Sequence, residues 1–349
     1  MNAMLQVADC GPLESLATMF RAIGWDCFVP DAGLRARLVA AGCDTVLDPE
    51  FLFREMGYDR PRGVQQSGDL DSMDLYVDVK AQRNAEKAWK LHRRFEGRTI
   101  WYRINGGLPE ITPQGGDELN FNFPIITPNR YYLDSPTAYK NHVGSRRDAN
   151  WGGLAYVMWP PFARASDYSV RAPNYDGYCN PVCLIHNVTG WGYSDLVEPL
   201  RREARLLCFG SHGSPDGLIP HSGVPGLLAA ALCMVHLKSN DCPGYALYEA
   251  LHAGCPLIVP RRLIKRMRMA DLLVEGATCL CFDIEGDERG CGALDVAACV
   301  AEVRAATKQL MDSAENERIG NAGKRALAEL IWNPERDAES FKAFLRRYG

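Results

Sequence analysis

The stretch that most constrains the fold runs from residue 232 to residue 259 and reads as strand, loop, helix, strand. Residues 232–237 form a short apolar run, as a buried strand requires. Residues 239–244 gather Ser, Asn, Asp, Pro and Gly, the chemistry of a loop. Residues 245–253 are expected to be helical, with Ala246, Leu247, Ala250 and Leu251 on one apolar stripe. Gly254 stops the helix, and residues 255–259 form a second buried strand. Two apolar strands joined by one helix make a parallel β-α-β unit.

Two features of this unit point to chemistry. Glu249 lies well inside a short helix between two core strands, where a carboxylate needs solvent, a cation or hydroxyl groups. Lys238 or His252 would serve as a structural partner, but the position of Glu249 beside the glycine loop favours ligand hydroxyls. The helix starts just after a Pro-Gly pair, so its first unpaired N–H groups suit a phosphate, and Gly244 lets an anion approach the main chain. A phosphate at Tyr245 and Ala246 with a carboxylate about one turn further in fits a nucleoside diphosphate and its ribose.

The stretch resembles the donor-binding signature of GT-B glycosyltransferases, especially the retaining family-4-like group. Asp241 stands seven residues before Glu249, and Gly244, Ala250, Ala253, Gly254 and Pro256 follow in step. The resemblance implies that Asp241 lies beside the transferred sugar and that Glu249 bonds the nucleotide ribose. Asp241 replaces the signature's usual Glu and is one methylene shorter; it also suits a helix cap or a turn. The family commonly carries an Arg and a Lys after the first strand of the same domain. Residues 187–194 hold neither, leaving helix N-termini, Lys238, or Arg261, Arg262 and Lys265 to meet the diphosphate charge. Lys238, at a strand's C-terminal end, is the first choice, and an ion-pairing surface lysine is its alternative reading.

The rest of the chain fits an α/β protein of two Rossmann-like, doubly wound parallel-sheet domains, which the resemblance has facing across a cleft in the GT-B architecture. The boundaries expected are 1–170 for an acceptor-side domain and 171–334 for a nucleotide-sugar domain, with a helix at 335–349 packing back onto the first. Strands are expected at 4–7, 25–29, 73–79, 98–104, 123–127 and 153–159, then at 182–185, 205–209 and 278–282. Helices are expected at 13–23, 33–41, 83–95, 135–143, 194–204, 224–231 and 265–274, with a long helical region over 294–330. Residues 163–178 read as a connector, and Asp69-Leu70-Asp71 as a polar turn rather than a metal site.

By the same resemblance, Gly11 and Glu14 belong to a glycine loop and helix that would face the donor, with a plain β-α turn as the alternative reading; Asn187, at the end of the strand at 182–185, is a further donor-binding candidate. Arg103 and Asn105 end another strand and are acceptor-side candidates, since the C-terminal ends of strands line the crevice of such sheets. The basic helix at 83–95, with Trp89 and His92, reads either as a solvated face or as a seat for nucleic acid. His186 and His236, on apolar strands, read as core histidines.

The function expected is transfer of a sugar from a nucleotide-sugar donor to a hydroxyl acceptor. Retention of configuration and metal independence are implied by the resemblance, with no cofactor beyond the donor. The acceptor is open: a glycan, a small molecule, or a hydroxylated base in DNA. A non-catalytic GT-B-like binding protein is the reading of another class. Net charge is −4, against a globally basic nucleic-acid binder. No Gly-x-Gly-x-x-Gly follows a first strand and no P-loop occurs, which argues against nicotinamide enzymes and P-loop kinases. The 13 cysteines lie scattered in apolar runs and read as core residues rather than a disulfide framework. No signal peptide or membrane span is expected, so the cytoplasm is the expected location. Oligomeric state is left open.

Overall fold

The computed structural model describes residues 1–6, 10–40, 63–78, 99–102, 125–127, 155–161, 168, 171–173, 175, 179–185, 193–210, 213–238, 244–267, 269–284 and 294–347. The chain divides into two compact units, Met1–Ala163 with Ile331–Gly349, and Arg164–Leu330.

The first unit is built on seven parallel strands: β1 (Asn2–Gln6), β2 (Asp26–Pro30), β3 (Val64–Ser67), β4 (Leu75–Asp78), β5 (Thr99–Tyr102), β6 (Ile125–Thr127) and β7 (Ala155–Val157). Their order is β3-β2-β1-β4-β5-β6-β7. The chain builds outward to one edge, then returns to β4 beside β1, so the topological switch lies between β1 and β4. Both faces of β1 are buried. Ala3 and Leu5 enter the core shared with Leu13, Leu16 and Phe20 of α1 (Cys10–Ala22). Met4 enters a second cluster with Leu34 and Leu38 of α2 (Ala32–Ala40). A strand covered by helices on both sides must be apolar at successive positions, which is why it reads as a run rather than an alternation.

Two differences from the sequence expectation arise here. Helix α1 begins at Cys10 rather than at residue 13, taking in Gly11 and Pro12. Proline is tolerated in a first turn because the amide it lacks would have had no partner there. Strand β3 was not expected at all. Its sequence is Val-Gln-Gln-Ser and only Val64 is buried, as befits an edge strand with one residue in the core. Asp69 closes the turn that follows: Asp71 N donates to Asp69 Oδ1 at 2.8 Å.

The tail belongs to this unit. Trp332 N donates to Trp159 O at 2.9 Å, just beyond β7. Asn333 then caps the last helix by accepting from Glu335 N at 2.8 Å, and Pro334 fills its first turn. That helix (Pro334–Leu345) sets Phe341 edge-on to Phe20 at 5.3 Å and beside Tyr156 at 5.1 Å. The Trp332 indole donates to Tyr156 OH at 3.1 Å.

Among the described residues the second unit has five parallel strands: β8 (Val182–Leu184), β9 (Leu207–Phe209), β10 (Met234–Val235), β11 (Leu257–Pro260) and β12 (Cys279–Phe282). Their order, β12-β11-β10-β8-β9, puts the switch between β8 and β10. Strand β10 is formally short, yet its ladder continues: Leu232 N donates to Asn180 O and His236 N to Ile258 O, each at 2.9 Å. The helices here are α3 (Ser194–Ala204), α4 (Val224–Ala230), α5 (Gly244–Ala253), α6 (Arg261–Met267), α7 (Val296–Gln309) and α8 (Ser313–Leu330); the tail helix is α9.

Two helical expectations are corrected in this unit. The helix expected at 265–274 is α6, which starts directly after β11 and ends at Met267. Residues 269–278 turn instead, because the Thr278 hydroxyl donates to Leu272 O and accepts from Val274 N, each at 2.8 Å. A side chain that bonds nearby backbone offers it an alternative to the helix. The long helical region breaks into α7 and α8, where Asp312 Oδ1 accepts from Ala314 N at 2.9 Å and Glu315 N at 3.1 Å. Among the described residues no helix is long and apolar enough to cross a membrane.

Candidate functional site

In open parallel sheets a ligand binds beyond the carboxyl ends of the strands, at the switch point, because the loops there part in opposite directions. In the second unit that position lies between β8 and β10. Strand β10 runs out through Leu237 to Lys238. Tyr193, which precedes α3, donates its backbone N–H to Leu237 O at 2.8 Å. The start of α3 is thereby brought beside the end of β10. Arg262, in the first turn of α6, joins them with its guanidinium 5.5 Å from the centre of the Tyr193 ring.

Helix α5 opens at Gly244 with φ +63°. That left-handed conformation costs any other L-residue energy, and glycine pays none of it. A Cβ at this position would sit 3.4 Å from Lys238 Nζ. The ammonium group therefore lies against the opening of the helix, where the first N–H groups carry partial positive charge. Tyr245 and Ala246 follow, both half-buried, and the Tyr245 ring stands edge-on to Tyr248 at 6.2 Å. Two like-signed sources, a lysine and a helix start, converge where a diphosphate would neutralise both.

Glu249 is buried on the same helix, 6% exposed. Its carboxylate is held by two side chains that the sequence reading did not single out. Tyr168 OH donates to Oε1 at 3.1 Å, and His221 Nε2 lies 2.8 Å from the same oxygen. Toward an ionised carboxylate, which only accepts, Nε2 acts as the donor. The partners proposed from sequence, Lys238 and His252, do not take this role. His252 is instead kept neutral: burial, then the charge of Lys324, depress its pKa to about 4, partly opposed by Glu249. No bond to Glu249 Oε2 is found among the described residues.

The other sequence candidates fall as follows. Gly11 is the second residue of α1, the helix that follows β1. Glu14 is buried at 5% in that helix, and the hydroxyl of its neighbour Ser15 donates to Pro161 O at 2.8 Å. Arg261 is engaged by Glu275, at 2.7 Å, and by Asp283, whereas Lys265 is exposed. His236 is buried in the core at 4% exposure. Asp241, Asn187, Arg103 and Asn105 lie outside the described residues, as do His186, the basic stretch at 83–95 and the helix expected at 135–143. Among the described residues no group of three or more His, Cys, Asp or Glu could hold a metal ion.

Nothing in the sequence marked His221 or Tyr168. His221 stands in a 3₁₀ turn (His221–Gly223) before α4, and Tyr168 in the stretch that reads as a connector. Each is far from Glu249 along the chain, and neither belongs to a periodic pattern.

Both units together have the GT-B fold of glycosyltransferases. HepE of Anabaena, solved in complex with UDP, superposes with a TM-score of 0.60 at 14% identity, covering 99% of each chain. Sucrose-phosphate synthase of Thermosynechococcus elongatus gives 0.57 at 15% identity, covering 99% of this chain and 98% of that one. An alpha-glucosyltransferase in complex with UDP gives 0.56 at 10% identity, covering 98% of each. No family model matches the sequence, and no curated protein matches it.

Proposed function

We propose that this protein is a glycosyltransferase that moves a sugar from a nucleoside-diphosphate sugar to a hydroxyl acceptor. The observation that carries this reading is the second unit's switch point, where Lys238 Nζ lies against the opening of α5 and Glu249 stands further along the same helix. The diphosphate would sit at the α5 start and Lys238, and the ribose hydroxyls would meet Glu249. Asp241, from its place in the sequence, would face the sugar. As the glycosidic bond breaks, negative charge grows on the leaving diphosphate, and fixed N–H dipoles with an ammonium group lower the barrier. That scheme requires no metal. Retention of configuration follows from the signature's resemblance, and the UDP held by two structural neighbours supports a uridine nucleotide. The setting inferred is the cytoplasm, a reading that rests on the sequence alone.

The test is nucleotide binding followed by turnover. UDP, ADP and GDP are titrated by calorimetry, then UDP-sugars are incubated with the protein and scored for UDP release. Glu249→Gln is expected to weaken nucleotide binding by about tenfold or more, the cost of one good hydrogen bond to a charged group. Unchanged affinity in a folded Glu249→Gln protein sinks the assignment.

One observation favours a second reading, a nucleotide-binding protein without turnover. Arg261 is committed to Glu275 and Asp283, so this nearby cation is spent on structure. Binding of UDP without release of UDP from any sugar donor is the result expected of that reading.

A further inference from the structure

Resting on the proposed role of Glu249, we infer that His221 and Tyr168 are positioning residues that set which face of that carboxylate reads the donor's ribose. Both donors converge on one oxygen, Oε1, at 2.8 Å from His221 Nε2 and 3.1 Å from Tyr168 OH. The His221 and Glu249 side chains are only 11% and 7% exposed. A carboxylate has two oxygens and about four acceptor sites, so two donors on Oε1 fix the plane of the group while Oε2 keeps its lone pairs. Preorganisation of this kind raises affinity, because the rotamer is fixed before the ligand arrives.

The two anchors come from different parts of the second unit. His221 lies 28 residues before Glu249 and Tyr168 lies 81 before it. Tyr168 is itself held: its ring lies against the His252 ring at 6.3 Å, and Lys324 Nζ reaches its backbone oxygen at 3.5 Å. A residue buried merely to fill space would not need its hydroxyl aimed at the same atom as the imidazole. The specificity that follows is for the ribose hydroxyls, not for the base or the sugar.

The experiment compares UDP with 2′,3′-dideoxy-UDP by calorimetry on the full chain. The wild-type protein is expected to bind UDP about tenfold more tightly than the dideoxy analogue. In His221→Ala the advantage should shrink to roughly twofold or less, with affinity for the dideoxy analogue unchanged, because only the hydroxyl contact has lost its geometry. His221→Gln, which keeps a side-chain N–H, should restore most of the advantage, and Tyr168→Phe should lose part of it. If wild-type protein shows no preference for UDP, the ribose role of Glu249 falls and this inference with it. If wild type discriminates and folded His221→Ala and Tyr168→Phe discriminate equally well, Glu249 keeps its role and the positioning assignment alone is overturned. Equal loss of affinity for both ligands in His221→Ala overturns it too, since that marks general damage to the site.

Discussion

Gly244 supplies a backbone in the left-handed region at the opening of α5, beside the Lys238 ammonium group. Gly244→Ala is therefore expected to cost about 1–2 kcal/mol of stability through the left-handed conformation alone. It should also weaken UDP binding, because a strained left-handed alanine shifts the first N–H groups of α5. Urea unfolding and calorimetry on the same variant separate the two effects. His252 gives a pH prediction. Its folded pKa, about 4, lies below the ordinary value of 6.5, chiefly because it is buried. The unfolded chain therefore takes up that proton first as pH falls. The stability tied to neutral His252 is complete above about pH 6.5 and is lost progressively towards pH 4, on the order of 3 kcal/mol. The drop in urea midpoint between pH 7 and pH 4.5 should be smaller in His252→Gln than in wild type. At this scale the sequence made Gly244, Lys238 and Glu249 legible, since turn chemistry and a carboxylate inside an apolar helix are local signals. It did not show His221 or Tyr168, because nothing local tells which distant side chain meets a given oxygen.

Among the elements, α5 is held from behind by α8. A Cβ on Gly320 would lie 2.0 Å from Gly254 O, and one on Gly323 would lie 2.8 Å from Leu251 Cδ2. At an exposed helical site, replacing glycine by alanine stabilises a protein. Here the sign reverses, because the obstacle to a methyl on Gly320 is backbone. Gly320→Ala should destabilise by roughly 1–3 kcal/mol and lower the melting temperature. The tail makes a matching case in the first unit. Phe341 is fully buried against Phe20 and Tyr156, so Phe341→Ala is expected to cost about 3–5 kcal/mol in urea unfolding. Helices with a clear apolar stripe were readable in advance. The break between α7 and α8 was not, since a cap formed by Asp312 interrupts a run with no proline or glycine at that point. Strand β3 escaped notice because an edge strand with one buried residue lacks the apolar run that marks its neighbours.

Across the whole molecule, two units of parallel α/β structure share a chain that leaves the first after Ala163 and rejoins it at Ile331. Ending the chain at Ile331 would strip Trp332, Phe341, Phe344 and Leu345 from the first unit's core. The unfolding midpoint of that unit should fall, while nucleotide still raises the melting temperature of the second, whose site residues are intact. Sequence alone determined that the strands are parallel, that helices join them, and that a glycine-led helix carries a carboxylate. Those properties rest on periodicity and turn chemistry within some thirty residues. Only the tertiary structure decided the strand order, the place of the tail helix and the partners of Glu249. These depend on how crossovers bring distant segments together, and a hydrogen bond between residues 81 positions apart leaves no trace in local pattern.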